Sequence, residues 1–202
     1  MMKTIVFATN NHHKVTEVAG FFEKHFPGKL IIKTLAQIGF SDEIIENTET
    51  FEGNALQKAK TVSKACGLTV IADDSGLEVD YLNGMPGVYS ARYAGEGCSS
   101  QDNINKLLSE LEGVPMEKRT ARFVSVICAC LLNEEVIYAK GCCEGVILTS
   151  KRGTGDFGYD PVFYYPPLQK SFAELDLDTK NGISHRGIAL RQFVSLFDIS
   201  KA

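Results

Sequence analysis

The chain has 202 residues, of which 44% are hydrophobic and 23% are charged, the balance of an ordinary soluble globular protein. A formal net charge of -4 and a pI near 5.6 argue against nucleic acid polymers and anionic membranes as partners, because both are bound mainly through basic patches. No segment reaches the roughly 18 consecutive apolar residues of a membrane span, and the apolar start of the chain stops at Thr9, too early for a secretory signal. The sequence therefore predicts a cytoplasmic protein with no membrane partner.

Hydrophobic periodicity predicts alternating strands and helices in the first third of the chain. Strands are predicted at residues 4–8, 30–35 and 68–72. The helix after the first strand runs to about His25, and a second helix covers Phe51–Cys66 and stops at Gly67. Residues 41–50, with the sequence SDEIIENTET, form an acidic loop before the second helix.

The rest of the chain mixes both kinds of element. The predicted elements are an extended segment at 77–82, an Asn83-Gly84 turn, a helix at 102–111, paired strands at 123–132 and 136–140, a glycine-rich loop at 153–158, and a last helix from about Ser184 through Phe197. Strands mixed with helices indicate the α/β class, and the antiparallel pair argues against a uniform doubly wound sheet. The expected architecture is one α/β unit of two lobes.

The first polar group that could carry chemistry lies between the first strand and the first helix. Its members are Thr9, Asn10, Asn11, His12, His13 and Lys14. Backbone N–H groups at a helix N-terminus attract anions, and a hydroxyl, an amide and an ammonium add further donors. From this element alone, a capped turn with a solvated lysine is the favoured interpretation.

The second group is the pair Asp73-Asp74, which directly follows the predicted strand 68–72. Two adjacent carboxylates repel each other unless a cation or a proton lies between them. Magnesium takes one or two carboxylate ligands and leaves its other positions to water and phosphate, and Glu43 or Glu46 of the acidic loop offers a further carboxylate. An ordinary turn is the equally weighted alternative, since Asp, Ser and Gly are turn formers. Zinc is disfavoured, because the six cysteines contain no C-x-x-C and the histidines form no ligand pair.

The third group is the glycine-rich loop, in which Phe157 and Tyr159 flank Gly158. Glycine lets the backbone approach a ligand closely, and the two aromatic rings offer faces to a base. Asp160 adds an acceptor beside Pro161. Many loops are rich in glycine, so this signal is weak when taken alone.

The fourth group has the sequence KNGISHRG, which begins at Lys180 and contains the predicted N-cap Ser184. His185 and Arg186 follow in the first turn of the last helix, where cations oppose the helix dipole and cost stability. An anionic or acceptor-rich ligand would offset that cost. A solvated helix start is the alternative, and it is slightly less favoured.

Taken together and in this order, five stretches resemble the inosine/xanthosine triphosphate pyrophosphatase family, also called the Ham1-like family. The stretches are ATNNHHK, FEGNALQKAK, ADDSGLEVDYLNGMPGVYSARYAG, GTGDFGYDPVF and KNGISHRG, and they extend from Ala8 to Gly187. The resemblance implies an α/β fold of two lobes around a long central mixed sheet, with an active-site cleft between them, and a homodimer. It also implies magnesium-dependent cleavage of ITP, dITP or XTP to the monophosphate and pyrophosphate by a single domain over residues 1–202.

The resemblance also assigns a role to each matching residue. Asp74 corresponds to the proton acceptor and a metal ligand, and Glu46 to a further metal ligand. The loop continues Asn47-Thr48 after Glu46, where many relatives have Thr-Gly, and this leaves the choice between Glu43 and Glu46 open. The triphosphate contacts would be Thr9, Asn10, Asn11, His12, His13, Lys14 and Lys58, with Ser75 also on the substrate. The base-binding loop would be Phe157, Gly158, Tyr159 and Asp160, and the remaining substrate contacts Lys180, His185 and Arg186.

To cleave a phosphoanhydride, a protein has mainly to position the reactants and to neutralise the charge of the triphosphate. Lys14 and Lys58 would supply positive charge beside a magnesium ion held by Asp74 and Glu46. A carboxylate with an ordinary pKa of about 4 is ionised at neutral pH, so Asp74 could deprotonate a water for attack at the α-phosphorus, which releases pyrophosphate. Attack at the γ-phosphorus stays open as an alternative.

Two rival functions also stay open. A Maf-like pyrophosphatase on the same scaffold would act on pyrimidine or modified nucleotides, although the base-contacting residues 157–160 and 185–186 favour purines. A nucleotide-binding regulatory module would not turn its ligand over, but a pure sensor needs no water-activating carboxylate such as Asp74. Arginine only donates hydrogen bonds, so Arg186 near the base would favour the 6-keto oxygen of hypoxanthine and xanthine over the amino group of adenine. We therefore expect ITP and XTP to be far better substrates than ATP, with GTP rejected less securely.

Overall fold

The computed structural model describes residues 2–155 and 157–201 of the chain. Asp156 of the glycine-rich loop and the side chains of His12 and His13 lie outside the described part. The helices within it are α1 His12–His25, α2 Phe51–Cys66, α3 Ser100–Glu110, α4 Leu177–Ile183 and α5 His185–Leu196. The strands are β1 Lys3–Phe7, β2 Leu30–Thr34, β3 Thr69–Val79, β4 Thr120–Cys130, β5 Val136–Ile147, β6 Phe163–Tyr165 and β7 Lys170–Ser171. None of the helices in this part of the chain has the length and apolarity that a bilayer crossing requires.

Within the described residues, the strands form one seven-stranded sheet in the order β2-β1-β3-β4-β5-β6-β7. Strand β1 pairs in parallel with β2 and with β3, whereas β6 pairs antiparallel with both β5 and β7. The neighbours β4 and β5 are joined by residues 131–135, a connection too short for a parallel crossover, so they form a hairpin. The sheet is therefore mixed, which confirms the predicted α/β class with a mixed sheet.

The chain divides into two compact units, each with its own core. The first unit holds the described residues up to Asp74, Val126–Lys140, and the segment from Ala189 onward. Its core contains apolar side chains of β1, α1, β4 and α5, among them Phe7, Phe22, Ile127 and Phe193. The second unit holds Ser75–Ser125 and Gly141–Ile188. Its core contains side chains of β3, α3, β4 and β6, among them Leu77, Leu107, Phe123 and Phe163.

Helix ends follow the capping chemistry of their sequences. Helix α2 has the predicted bounds, because the Thr50 hydroxyl accepts from the Gly53 N–H at its start and Gly67 ends it in the left-handed region at φ 64°. Helix α3 begins at Ser100 rather than at residue 102, because Ser99 and Asp102 form a reciprocal capping box. Local hydrogen bonds at the first turn thus decide where these helices start.

Strand β3 departs most from the prediction. The expected strand stops at residue 72, but β3 continues through the turn-forming residues 73–76 to Val79. Its register with β1 ends at Ile71, and its other neighbour in the sheet is β4. A strand neighbour therefore overrides the turn preference of Asp, Ser and Gly. The predicted strand at 136–140 is also too short, because β5 runs on to Ile147.

Arg119 joins three segments of the second unit. Its side chain is 2% exposed, and its Nε donates to the Ile147 carbonyl at 2.7 Å. Its two terminal nitrogens donate to the carbonyls of Leu111 at 2.6 Å and Leu148 at 2.7 Å. Burial lowers the pKa of this guanidinium, but arginine stays protonated in proteins. Three charge-assisted bonds therefore fix the chain after α3 and the end of β5 to the start of β4.

Candidate active site

The turn between β1 and α1 is built by short-range bonds. The Thr9 hydroxyl oxygen accepts from the Asn11 N–H at 3.1 Å, and the Asn11 side chain caps α1 by accepting from the Lys14 N–H at 3.2 Å. Asn10 is exposed. The Lys14 ammonium lies 2.9 Å from the Asp73 carboxylate, which is buried. The capped turn is confirmed, but the lysine is paired with a buried acid and is not a solvated side chain.

Asp73 and Asp74 lie on opposite faces of β3, since successive side chains of a strand alternate. Asp73 meets Lys14, at the start of α1, and Asp74 meets Lys58, on α2. The ordinary turn, the alternative interpretation of this pair, is wrong, because β3 runs through both residues, and the metal-ligand interpretation stays a prediction. The pleat of the strand separates the two carboxylates, and each carboxylate has an ammonium of its own.

Helix α2 buries a stripe of residues at helical spacing: Phe51, Asn54, Ala55, Lys58, Ala59 and Val62. Two members of this stripe are polar, and both reach Asp74. Lys58 Nζ lies 3.1 Å from Asp74 Oδ1 and 3.1 Å from Glu46 Oε2, so one ammonium joins the carboxylates of the strand and of the acidic loop. Glu46, and not the exposed Glu43, is the acidic-loop residue that enters this group.

Asn54 is absent from the sequence-based prediction of the site. Its side chain is 1% exposed, and its Nδ2 donates to Asp74 Oδ2 at 3.2 Å. Its Oδ1 accepts from the Thr48 N–H at 3.0 Å and from the Thr48 hydroxyl at 2.8 Å. The signal that could have found it is its position, because a polar side chain on the apolar stripe of a helix needs buried partners.

Burial sets the electrostatics of these residues. It raises the pKa of the Asp74 carboxyl, a rise that the Lys58 ammonium opposes and Glu46 reinforces. Burial alone would lower the pKa of Lys58, but the carboxylates of Asp74, Asp73 and Glu46 together outweigh it and hold that pKa above its ordinary value. Lys58 is therefore charged at neutral pH, and Asp74 is a more basic carboxylate than an exposed one.

The donor set of this group fits a small, hard cation. The three carboxylates of Glu46, Asp73 and Asp74 face the two ammoniums of Lys14 and Lys58, which leaves one net negative charge. Carboxylate oxygens are the ligands that Mg²⁺ prefers, and it needs only one or two of them from a protein. Among residues 2–155 and 157–201, no three His, Cys, Asp or Glu side chains are gathered to hold a metal ion. The chain would therefore contribute few of the ligands and leave the others to water and phosphate.

The glycine-rich loop of the second unit turns sharply and is anchored by one of its aromatic residues. Gly158 has a φ of 53°, in the left-handed region that glycine occupies without strain. Tyr159 is buried, and its hydroxyl donates to the Ser90 carbonyl at 2.8 Å. Burial raises the pKa of this phenol, so the hydroxyl stays a neutral donor. Of the two rings predicted to face a base, partly buried Phe157 is the more accessible.

Lys180 links this loop to α4. Its ammonium is paired with the Asp160 carboxylate and lies 5.0 Å from the centre of the Phe157 ring and 5.9 Å from that of Phe172. Such cation–π contacts contribute roughly 0.5–1 kcal/mol at exposed sites and more when desolvated. Three residues predicted to contact one substrate therefore contact one another.

The corner between α4 and α5 is tight. Ser184 caps α5 as predicted, because its hydroxyl oxygen accepts from the Gly187 N–H at 3.1 Å. A β-carbon at Gly187 would overlap the carbonyl oxygen of Asn181, so the close approach of the two helices requires glycine there. The corner thereby fixes where the first turn of α5 begins.

His185 and Arg186 occupy that first turn, and both are buried. The His185 ring stacks on Phe123 with the ring centres 4.7 Å apart, and a terminal nitrogen of Arg186 donates to Ser75 Oγ at 3.2 Å. A solvated helix start, the alternative interpretation of this segment, is therefore wrong.

The described members of the predicted site, other than Thr9, Asn10 and Asn11, fall into two sets, one in each unit, and Asn54 joins the first set. We call the first the charged group, and it consists of Lys14, Glu46, Asn54, Lys58, Asp73 and Asp74 in the first unit. We call the second the aromatic group, and it consists of Ser75, Phe157, Gly158, Tyr159, Asp160, Lys180, His185 and Arg186 in the second unit. The side chains of His12 and His13 lie outside the described residues.

Known proteins resemble this chain over nearly its whole length. A dITP/XTP pyrophosphatase of Bacillus licheniformis is 48% identical over 197 residues, which cover 98% of this chain and 99% of that protein. A dITP/XTP pyrophosphatase of Bacillus subtilis is also 48% identical, over 198 residues that cover 98% of both chains.

Solved structures agree with the sequence matches. The Ham1 protein of Staphylococcus aureus is 42% identical and superposes with a TM-score of 0.87, covering 96% of this chain and 97% of that one. A HAM1 protein of Coxiella burnetii is 37% identical, with a TM-score of 0.88 over 100% of both chains. The model of the Ham1 family itself matches residues 5–196. This chain belongs to the Ham1 family.

Proposed function

We propose that this protein hydrolyses nucleoside triphosphates with deaminated purine bases, namely ITP, dITP and XTP, to the monophosphate and pyrophosphate, with Mg²⁺ as cofactor. The observation that carries the proposal is Asp74, a buried carboxylate of raised pKa whose two oxygens are held by Lys58 and Asn54. The names of the two Bacillus relatives, both dITP/XTP pyrophosphatases, support the same reaction. The protein is accordingly a hydrolase of phosphoanhydride bonds that cleanses the nucleotide pool.

The charged group suits a triphosphate only together with a cation. Its side chains carry one net negative charge, which repels a polyanion. Glu46 and Asp74 would hold Mg²⁺, which would supply two positive charges to offset the negative charges of the triphosphate. With the ammoniums of Lys14 and Lys58 included, the group would then carry one net positive charge. The turn before α1 and the start of that helix would contribute further donors: Thr9, Asn10, Asn11, His12 and His13.

Asp74 accepts the proton of the attacking water in this scheme. The water oxygen forms a bond to the α-phosphorus, the bond from that phosphorus to the bridging oxygen of the pyrophosphate breaks, and the water proton passes to Asp74. Burial raises the pKa of this carboxyl, which moves it toward the range of an effective general base. Asn54 and Lys58 fix both carboxylate oxygens, so the base is oriented before the nucleotide arrives.

The aromatic group binds the base. Phe157 offers a partly exposed ring for stacking, and Arg186 offers a guanidinium that only donates. The 6-keto oxygen of hypoxanthine or xanthine accepts such a bond, whereas the 6-amino group of adenine does not. A mismatch costs about 1–3 kcal/mol for each buried group left unpaired. The remaining contacts are Ser75, Gly158, Tyr159, Asp160, Lys180 and His185.

A nucleotide panel tests this proposal against its rivals. Phosphate release from ITP, dITP, XTP, ATP, GTP and UTP is measured with malachite green, with and without added inorganic pyrophosphatase. We expect phosphate only when pyrophosphatase is present, and far more from the first three nucleotides. Phosphate without pyrophosphatase would indicate attack at the γ-phosphorus. A preference for UTP would indicate a Maf-like activity, and binding without turnover would indicate a sensor.

The proposal extends to assembly and location. The protein acts as one catalytic domain over residues 1–202, as a homodimer, in the cytoplasm. The match of the family model to residues 5–196 supports a single domain, and the family resemblance supports the dimer. Sedimentation velocity should give a particle of twice the chain mass of 22.2 kDa, and a particle of one chain mass would contradict the dimer.

A further inference from the structure

Asn54 is a polar residue that is almost completely buried. It is 1% exposed and lies one helical turn before Lys58 on the buried stripe of α2. A buried amide costs free energy unless its donor and acceptor are both bonded. The partners of Asn54 therefore indicate what it does.

The two ends of the Asn54 amide bind two different parts of the charged group. The Nδ2 end donates to Asp74 Oδ2 at 3.2 Å, on β3. The Oδ1 end accepts two bonds from Thr48, at 3.0 Å and 2.8 Å, in the loop that carries Glu46. One rigid, planar amide therefore connects the strand with Asp74 to the loop with Glu46.

Asp74 is oriented by two side chains of the same helix. Lys58 holds its Oδ1 at 3.1 Å and Asn54 holds its Oδ2, so rotation of the carboxylate would break one bond or the other. Lys58 also holds Glu46, but its ammonium sits on a flexible stem with no preferred direction. The amide of Asn54 has one plane and a fixed length, which makes it the stiffer of the two connections.

The loop lies close against α2 at this point. A β-carbon at Gly53 would overlap the Thr48 side chain, so glycine is needed for the approach that lets Thr48 reach Asn54. A second pair holds the same loop: Gln57 Nε2 donates to Asn47 Oδ1 at 3.0 Å. Gln57 therefore offers a comparison, since it ties the loop to α2 by a bond that does not involve Asp74.

We propose that Asn54 is the positioning residue of the charged group, because it fixes Asp74 and the loop of Glu46 relative to each other and so sets the spacing of the two carboxylates for a divalent cation. The proposal rests on the proposed function, which makes these two carboxylates the metal ligands. Ligands held in place before the ion arrives bind it more tightly than ligands that must be ordered by it.

The test is Mn²⁺ binding by the free protein, followed by electron paramagnetic resonance without nucleotide. Asn54→Leu keeps the approximate volume and removes all three bonds, and we expect it to weaken Mn²⁺ binding by roughly 10- to 100-fold, the usual effect of losing a partner of a metal ligand. The control Gln57→Leu loosens the same loop and should change the affinity by less than about threefold. Thermal unfolding in EDTA reports whether each variant is folded.

Turnover gives a second readout. At a Mg²⁺ concentration well below saturation, turnover of ITP should fall in Asn54→Leu in parallel with the Mn²⁺ affinity, while KM for ITP stays within about threefold. If Asn54→Leu does not fold, Thr48→Val carries the test, because it removes one bond to the amide from a partly buried loop residue. It should weaken Mn²⁺ binding more than Gln57→Leu does.

Two results would overturn the proposal: Mn²⁺ affinity equal to the parent protein in the folded Asn54→Leu and Thr48→Val variants, or an equal loss in Gln57→Leu. A parent protein that binds Mn²⁺ and hydrolyses ITP in those same experiments leaves the proposed function standing. A parent protein that does neither contradicts the proposed function itself.

Discussion

The charged group and the aromatic group bury polar side chains in two different ways. In the charged group, charge is balanced by opposite charge, as in the pairs Lys14–Asp73 and Lys58–Asp74. In the aromatic group, polar side chains also lie against rings: the Lys180 ammonium beside Phe157, and the His185 imidazole stacked on Phe123. We therefore expect substitutions in the charged group to act mainly through changes in charge. Substitutions in the aromatic group should act mainly through changes in shape and in the direction of hydrogen bonds.

Removal of the metal should have the largest effect, and it should act through the charged group. EDTA should abolish pyrophosphate release from ITP, because the group without a cation carries net negative charge and repels the triphosphate. Excess Mg²⁺ should restore the rate. That recovery would exclude irreversible damage to the protein by EDTA. Activity that persists in EDTA would mean that Glu46 and Asp74 do not work through a metal.

Asp74→Asn should have the second-largest effect. The change keeps the shape of the side chain but removes the charge that accepts a proton and holds a cation, so kcat for ITP should fall by roughly 100-fold or more. The ratio of kcat/KM for ITP to that for ATP should stay nearly constant, because the proposed function assigns base selection to the aromatic group. Near-normal turnover would remove Asp74 from the mechanism, and a collapsed ratio would break the division between the two groups.

Arg186→Leu tests the separate roles of the two groups by a change in the aromatic group. Loss of the donor should lower kcat/KM for ITP more than kcat/KM for ATP. The ratio of the two values should fall by about tenfold or more, because a buried mismatch costs about 1–3 kcal/mol. Mn²⁺ binding by the free variant should be unchanged. Equal losses for ITP and ATP would show that Arg186 serves the phosphates and that base selection lies elsewhere.

Asp80→Asn should have the smallest effect and contrasts an exposed acid with buried Asp74. A hydrogen bond from the Thr120 hydroxyl, together with Arg122, lowers the pKa of the Asp80 carboxyl. Its contribution to stability is therefore complete above its ordinary pKa of 3.8 and is lost as the pH falls through the lower folded value.

Solvent screens this carboxylate, so the substitution should cost only a few tenths of a kcal/mol at pH 7. Urea unfolding of both proteins at pH 7 and in acid measures the difference. A difference in unfolding free energy that is larger in acid than at pH 7 would contradict the sign of the pKa shift.

The fold was predictable where local chemistry decides it. Helix α2 has sixteen residues with a clear apolar stripe and ends at Gly67, so its bounds follow from the sequence. Helix α4 has seven residues, too few to show a helical period, and it is absent from the prediction. Strand β3 was misjudged because residues 73–76 favour turns locally, while the strand neighbour that overrides them is distant in sequence.

The site was predictable as a list of residues but not as a set of contacts. Family resemblance selected Glu46, Lys58 and Asp74, but nothing in the order of residues indicates that the Lys58 ammonium pairs with both carboxylates. Asn54 was missed because asparagine inside a helix reads only as a weak helix former. A buried polar partner becomes visible only when β3 and the acidic loop are placed beside α2.

The three bonds of Arg119 also bear on how long the second unit stays folded. Its acceptors lie 8, 28 and 29 residues away along the chain, and two of them are at the open end of the β4–β5 hairpin, far from its turn. A hairpin that closes from its turn outward reaches this end last, so these bonds contribute little to the transition state of folding. Contacts of that kind slow unfolding without speeding folding. We therefore expect Arg119 to affect the lifetime of the folded second unit more than the rate at which that unit forms.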